Sequence, residues 1–198
     1  MKHYILTNCI SPSVGLFALC LALAFVGCSA TPRVMVRTAA LYPSLARTGQ
    51  CRIAPLHGLP KAGHAVMIQR EGTPVARRVA GLPGDRIAVR SGVLYRNGNS
   101  TQIDEPEPRS RCGIGHSFRC GCTQHIERID GHDYPVQILV PEQASEDYRC
   151  TPRQDAQELV VPENHVYLLA DNRDTALDSR EEGPFPVQEL QGRILGCR

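Results

Sequence analysis

A chain of 198 residues with 22 basic and 20 acidic side chains, net charge +2, is large enough for one core and too balanced for a strong electrostatic field. That balance argues against nucleic acid as a partner. With no Trp, 15 Pro and 17 Gly, few long helical patterns are available, so strands and turns are expected in place of a helical bundle.

Lys2 gives a short positive start, and residues 14–26 (VGLFALCLALAFV) form an apolar run, the length of a signal-peptide core and short for a spanning helix. Gly27 and Cys28 follow. A small residue before Cys at the end of such a run resembles a bacterial lipoprotein processing site, where Cys28 becomes the lipidated first residue. Residues 1–27 are read as a lipoprotein-type signal peptide and 28–33 as a tether, with an uncleaved anchor or ordinary secretion as alternatives. Each puts residues 34–198 outside the cytoplasm.

Cys9 and Cys20 lie within the targeting segment. Cys51, Cys112, Cys120, Cys122, Cys150 and Cys197 remain, an even set that reads as a disulfide framework in an oxidising compartment. Spacing leaves the connectivity open, although Cys51 and Cys197 sit near opposite ends of the body and are placed to staple it. Cys112, His116, Cys120, Cys122 and His125 also resemble a metal cluster. Cys-x-Cys is not the usual zinc spacing, and no metal or cofactor is expected.

Strands are predicted at 34–38, 65–69 and 75–80, the last two joined by a turn over 71–74, with Pro43 and Gly49 marking turns before them. Gly81, Leu82, Pro83, Gly84 and Asp85 read as a tight turn. A small meander follows at 87–90 and 93–96, punctuated by Ser91-Gly92 and Asn97-Gly98. Residues 106–122 are polar and irregular, 126–140 form a hairpin turning at Asp130-Gly131, and 152–157 allow one helical turn. Strands return at 159–161, 166–170 and 193–195, with a helical turn at 187–190. The last apolar run delivers Asp171, Asn172, Arg173 and Asp174, then Asp178, Ser179 and Arg180, to a charged box. In isolation that box is a solvated ion-paired loop as readily as a site.

Three stretches in order change its meaning. Arg78, Gly81, Leu82, Pro83, Gly84 and Asp85 resemble the R-x-x-G-L-P-G-D box of the type I signal peptidases. Asp171, Asn172, Arg173 and Asp174 with Asp178, Ser179 and Arg180 resemble their G-D-N-R-D-N-S-x-D-S-R box. Ala40 to Leu45 (ALYPSL) stands where the family has S-M-x-P-T-L. The resemblance implies a mainly β fold of two antiparallel sheets with an irregular Cys-containing insertion, placed at 99–158. It also implies a Ser–Lys protease anchored in the membrane, acting on exported polypeptides through their signal peptides. In that chemistry a neutral lysine takes the proton of an attacking serine, and a backbone N–H with a nearby hydroxyl holds the oxyanion.

The departures fall on the reacting groups. The family nucleophile position is Ala40, which has no oxygen, and the family base position is Arg77, which stays charged. Thr38 keeps a hydroxyl at the oxyanion position. The resemblance therefore leads to a pseudoprotease on the outer side of the bacterial membrane, held by its lipid or N-terminal segment. Its expected partner is an exported peptide, or a step of envelope maturation or assembly. An active endopeptidase using Ser44 with His64, and a structural envelope lipoprotein, are the alternatives. Asp171 or Asp178 is expected to pair with Arg77, turning the old catalytic centre into a structural ion pair.

Overall fold

Wherever the sequence offers a polar residue followed by glycine between two apolar-alternating runs, the chain reverses. In the computed structural model, which describes residues 31–36, 40–45, 49–109, 121–140, 155–174 and 176–198, four such pairs take positive φ at both positions. They are Glu71-Gly72, Ser91-Gly92, Asn97-Gly98 and Asp130-Gly131. Two successive positive φ angles match the right-handed twist of the flanking strands, which is why these four turns make hairpins.

The hairpins join β3 (Ala65–Arg70) to β4 (Thr73–Gly81), β5 (Arg86–Arg90) to β6 (Val93–Arg96), β6 to β7 (Asn99–Ser100), and β9 (Cys122–Ile129) to β10 (His132–Leu139). The other strands are β1 (Arg33–Val36), β2 (Gly49–Ala54), β8 (Glu107–Arg109), β11 (Ala156–Val160), β12 (His165–Leu169), β13 (Phe185–Pro186) and β14 (Leu190–Cys197). One short helix, α1, spans Ser179–Glu182. Among the described residues the strands pair antiparallel in three sheets: β1-β2-β14-β3-β4-β12-β13, β11-β5-β6-β7 and β10-β9-β8. The architecture is mainly β, as expected. The last of these sheets lies wholly within the predicted insertion.

β12 explains how the charged box is held. Val166 and Leu168 pack into one core with Val66, Ile68, Val79 and Phe185, while Tyr167 and Leu169 pack into another with Ile87, Leu94, Ile129 and Val136. A strand buried on both faces must be apolar at consecutive positions, so VYLLA is continuous and not alternating. A third cluster, Leu41, Cys51, Ile53, Met67, Ala76 and Ile194, fills the space under β1 and β2. β1 stands at the edge of the seven-stranded sheet yet also approaches β4, so the sheet curls back on itself.

Four local expectations change. Gly49 opens strand β2 where the sequence suggests only a turn, and Cys51 and Ile53 alternate inward with exposed Gln50 and Arg52. Glu107–Arg109 is a strand inside the supposedly irregular 106–122. Ala156 and Gln157 belong to β11, not to a helical turn, because pairing with β5 overrides weak local helical preference. Ser179–Glu182 is helical, started by an Asp178 capping box with Glu181.

Cys51 and Cys197 are opposite each other on β2 and β14 and form a disulfide. Cys122 is disulfide-bonded as well. The signal segment, Cys28, Thr38, Cys112, His116, Cys120 and Cys150 lie outside the described residues. Among the described residues no helix is long and apolar enough to cross a membrane, and none form a group of three or more His, Cys, Asp or Glu able to hold a metal.

Candidate functional site

Ala40 is buried in the turn that follows β1, and its carbonyl accepts a hydrogen bond from the Asn172 N–H at 3.0 Å. Arg77, also buried, sits on β4 and donates from Nε and Nη2 to the Leu177 carbonyl at 3.0 and 2.6 Å, and from Nη1 to its neighbour Ala76 at 2.7 Å. Both positions are thus fastened to the segment that carries the charged box, Ala40 through Asn172 and Arg77 through Leu177. A methyl group at 40 offers no nucleophilic oxygen. A guanidinium bonded to carbonyls has no lone pair to take a proton.

The ion pair expected at Arg77 forms one residue further along the strand. Arg78 donates to both oxygens of buried Asp171, Nε–Oδ1 2.8 Å and Nη2–Oδ2 2.5 Å, and from Nη1 to the Gly63 carbonyl at 2.8 Å. Successive residues of a strand face opposite ways, so the two arginines cannot share a partner. Asp178 is taken by Arg180 at 2.9 Å and by the N–H groups of Ala170 and Arg180, its role being the cap of α1. Ser179 Oγ accepts from the Leu168 N–H at 2.8 Å, tying that helix back to β12.

Arg173 extends the network into the β9–β10 hairpin. It is fully buried, and donates to Glu127 Oε1 at 2.9 Å and Oε2 at 2.5 Å, to the Ala170 carbonyl at 2.9 Å, and to the Gly92 carbonyl at 2.5 Å. Tyr134 donates its hydroxyl to Glu127 at 2.9 Å, and the Arg78 guanidinium lies 4.1 Å from the Tyr134 ring centroid. Burial alone would push the Glu127 carboxyl up. The charge of Arg173, with His125 and the Leu94 N–H, outweighs it and holds the carboxyl down at about 2. Asp174 accepts from the Leu139 N–H at 2.7 Å, and the Asp171 carbonyl from the Gln137 N–H at 2.9 Å. The box is scaffolding with its hydrogen bonds directed inward.

The turn after β4 is built the same way. Asp85 accepts from the Leu82 N–H and from the side chains of Arg96 and Asn97 at 2.8 to 2.9 Å. Burial raises its carboxyl, but these bonds more than offset that and leave it below the ordinary carboxylate range. Gly81 is required by contact: a Cβ there would meet Ile87 at 2.7 Å. Pro83 precedes Gly84, whose φ of 86° is in the glycine-favouring region.

Ser44 and His64 line one cavity of about 420 Å³ together with Arg78, His132 and Arg193. Ser44 Oγ donates to the Pro135 carbonyl at 3.1 Å, so its proton is committed to an acceptor that cannot remove it. Glu127, Tyr134, His132 and Arg193 are not marked as site residues by the sequence. Glu127 left a trace: it shares the inward strand face with Ile129, where an acid is out of place unless paired.

Residues 9–197 match the family described as signal peptidase, peptidase S26. Signal peptidase I of Bacillus caldolyticus is 29% identical over 122 residues, covering 60% of this chain and 50% of the relative. Signal peptidase I S of Bacillus subtilis is 24% identical over 131 residues, covering 66% and 54%. The chain spans about half the length of these curated relatives. A crystal structure of a signal peptidase I from Enterococcus faecalis covers 71% of this chain and 98% of its own, at 22% identity and a TM-score of 0.38.

Proposed function

The chain belongs to the signal peptidase family, peptidase S26, and from that premise we propose that it is a non-catalytic member that binds exported polypeptide segments at the bacterial cell envelope. The observation that carries this is the pair Ala40 and Arg77: nucleophile and base are replaced together, while Arg78, Asp171, Asp178 and Arg180, which hold the surrounding frame, keep their mutual bonds. Loss of the two reacting groups with retention of the scaffold is the pattern of a cleft kept for recognition. An extended peptide would run between β1 and β4, its backbone pairing with theirs. Arg77 adds bulk and charge to that track.

The N-terminal segment holds the protein on the outer side of the membrane, through Cys28 lipidation in this reading. Maturation or assembly of surface structures is the process such a binder serves. The rearranged-protease alternative is weakened by the Ser44 proton, which faces Pro135 and not a base.

The test is titration of the full chain, in detergent, with a signal-peptide-like segment carrying small residues before its cleavage point. Saturable binding without product is the expected result. Failure to bind, in a protein that is folded by thermal melt, would leave only a structural role.

A further inference from the structure

The cavity beside the Ala40–Leu45 turn lies on the Arg78 side of β4, away from the Arg77 position, and the proposed function makes no use of it. Its walls divide by chemistry. Pro43, Pro135, Ile194 and Leu195 supply an apolar side, and His64, His132 and Arg193 a side of hydrogen-bond donors, of which Arg193 carries a fixed positive charge. Arg78 and Asp133 also line it, but Asp171 neutralises the first and Arg128 engages the second at 2.5 Å. Arg193 pairs with no carboxylate among the described residues. The His64 and His132 rings meet edge to face, their centroids 5.2 Å apart.

We propose that this cavity is a carboxylate-binding site that takes the acidic end of a peptide, with Arg193 as the principal charge partner and His64 and His132 beside it. A guanidinium without a carboxylate partner, next to an apolar wall, suits a carboxylate carried on a short apolar residue. A divalent cation is the obvious competitor for two histidines. Arg193 and Lys61 near the rings repel it.

The titratable groups around His64 are Lys61, Arg78, His132, Asp133, Tyr134 and Arg193, drawn from every element that closes the cavity. Partial burial lowers the His64 pKa first, and Arg193, His132, Lys61 and Arg78 lower it further. All four are basic groups. An anion entering the cavity reverses that field, so binding must raise the His64 titration midpoint.

The experiment uses the full chain in detergent with ¹³C-labelled histidine. Acetyl-trialanine with a free carboxylate, its C-terminal amide, and an amide bearing an internal Glu are titrated in turn. Expected are about tenfold or tighter binding of the free acid than of its amide, an upward His64 shift with the acid alone, and loss of both effects in Arg193→Gln. His132→Asn, at an exposed position, gives a smaller loss and serves if Arg193→Gln does not fold. Preference for the Glu-bearing amide over the free acid keeps the carboxylate site and assigns it to an acidic side chain. Equal binding of acid and amide, or no binding of any of the three at millimolar concentration, overturns the proposal.

Discussion

Arg78 and Asp171 meet through two hydrogen bonds, 2.8 and 2.5 Å, both groups withdrawn from solvent. Their contact joins the turn-bearing strand β4 to the charged box, so the pair is a strut of the fold. Breaking it from one side leaves a buried charge without its partner. Arg78→Gln or Asp171→Asn is expected to cost about 3–5 kcal/mol, and a double replacement by Met and Leu to recover much of it. Arg77→Gln removes hydrogen bonds to the Leu177 and Ala76 carbonyls, and is expected to cost less, about 1–2 kcal/mol. Urea titrations of the four variants check the ranking, and an Arg77 variant as damaging as the Arg78 variant would refute it.

Glu127 gives a pH dependence with a definite sign. Its carboxyl falls from 4.5 in the unfolded chain to about 2 in the fold, beside Arg173. A depressed carboxyl stabilises the folded state above its unfolded pKa and loses that contribution as pH falls through the folded one. The window is therefore about pH 4.5 down to 2, and the stabilisation on the order of 3 kcal/mol. Glu127→Gln is expected to be less stable at neutral pH and flatter across that window. Urea midpoints for wild type and variant at several pH values read this directly; parallel curves would contradict it.

The Cys51–Cys197 disulfide spans 146 residues of sequence. Closing so long a loop removes much of the unfolded chain's freedom, and the loop-entropy relation gives about 5 kcal/mol. The double variant Cys51→Ala with Cys197→Ala is expected to lose most of that. It is preferable to a reductant, because Cys122 is also disulfide-bonded. A change of under about 1 kcal/mol would show that the core under β1 and β2 holds without the staple.

The sequence made some of this legible and hid the rest for identifiable reasons. Polar-Gly pairs announced the hairpins, since few other sequences accept two positive φ angles. The apolar run before Asp171 marked β12 as a strand that ends in charges. Motif spacing points to Arg77 as the partner of Asp171 because it gives proximity along the chain, whereas strand alternation turns Arg78 toward the carboxylate. The capping box of Asp178 and Glu181 is present in the sequence, but Asp178 reads there as part of a charged box that stops at Arg180, one residue short of its capping partner. β2 was obscured by Gly49, whose turn signal masked the alternation that follows. The Ser44–Arg193 cavity left no sequence signal at all, because its walls come from five separated segments that only the curled sheet brings together.

The central claim is that the old cleft performs no hydrolysis. The direct measurement is incubation of the wild-type full chain with a preprotein bearing small residues before its cleavage site, followed by mass analysis, alongside Ala40→Ser with Arg77→Lys. The account predicts no product from wild type, and product from the double variant if the frame around Asp171 keeps its catalytic geometry. Specific cleavage by wild type that vanishes in Ser44→Ala would contradict it.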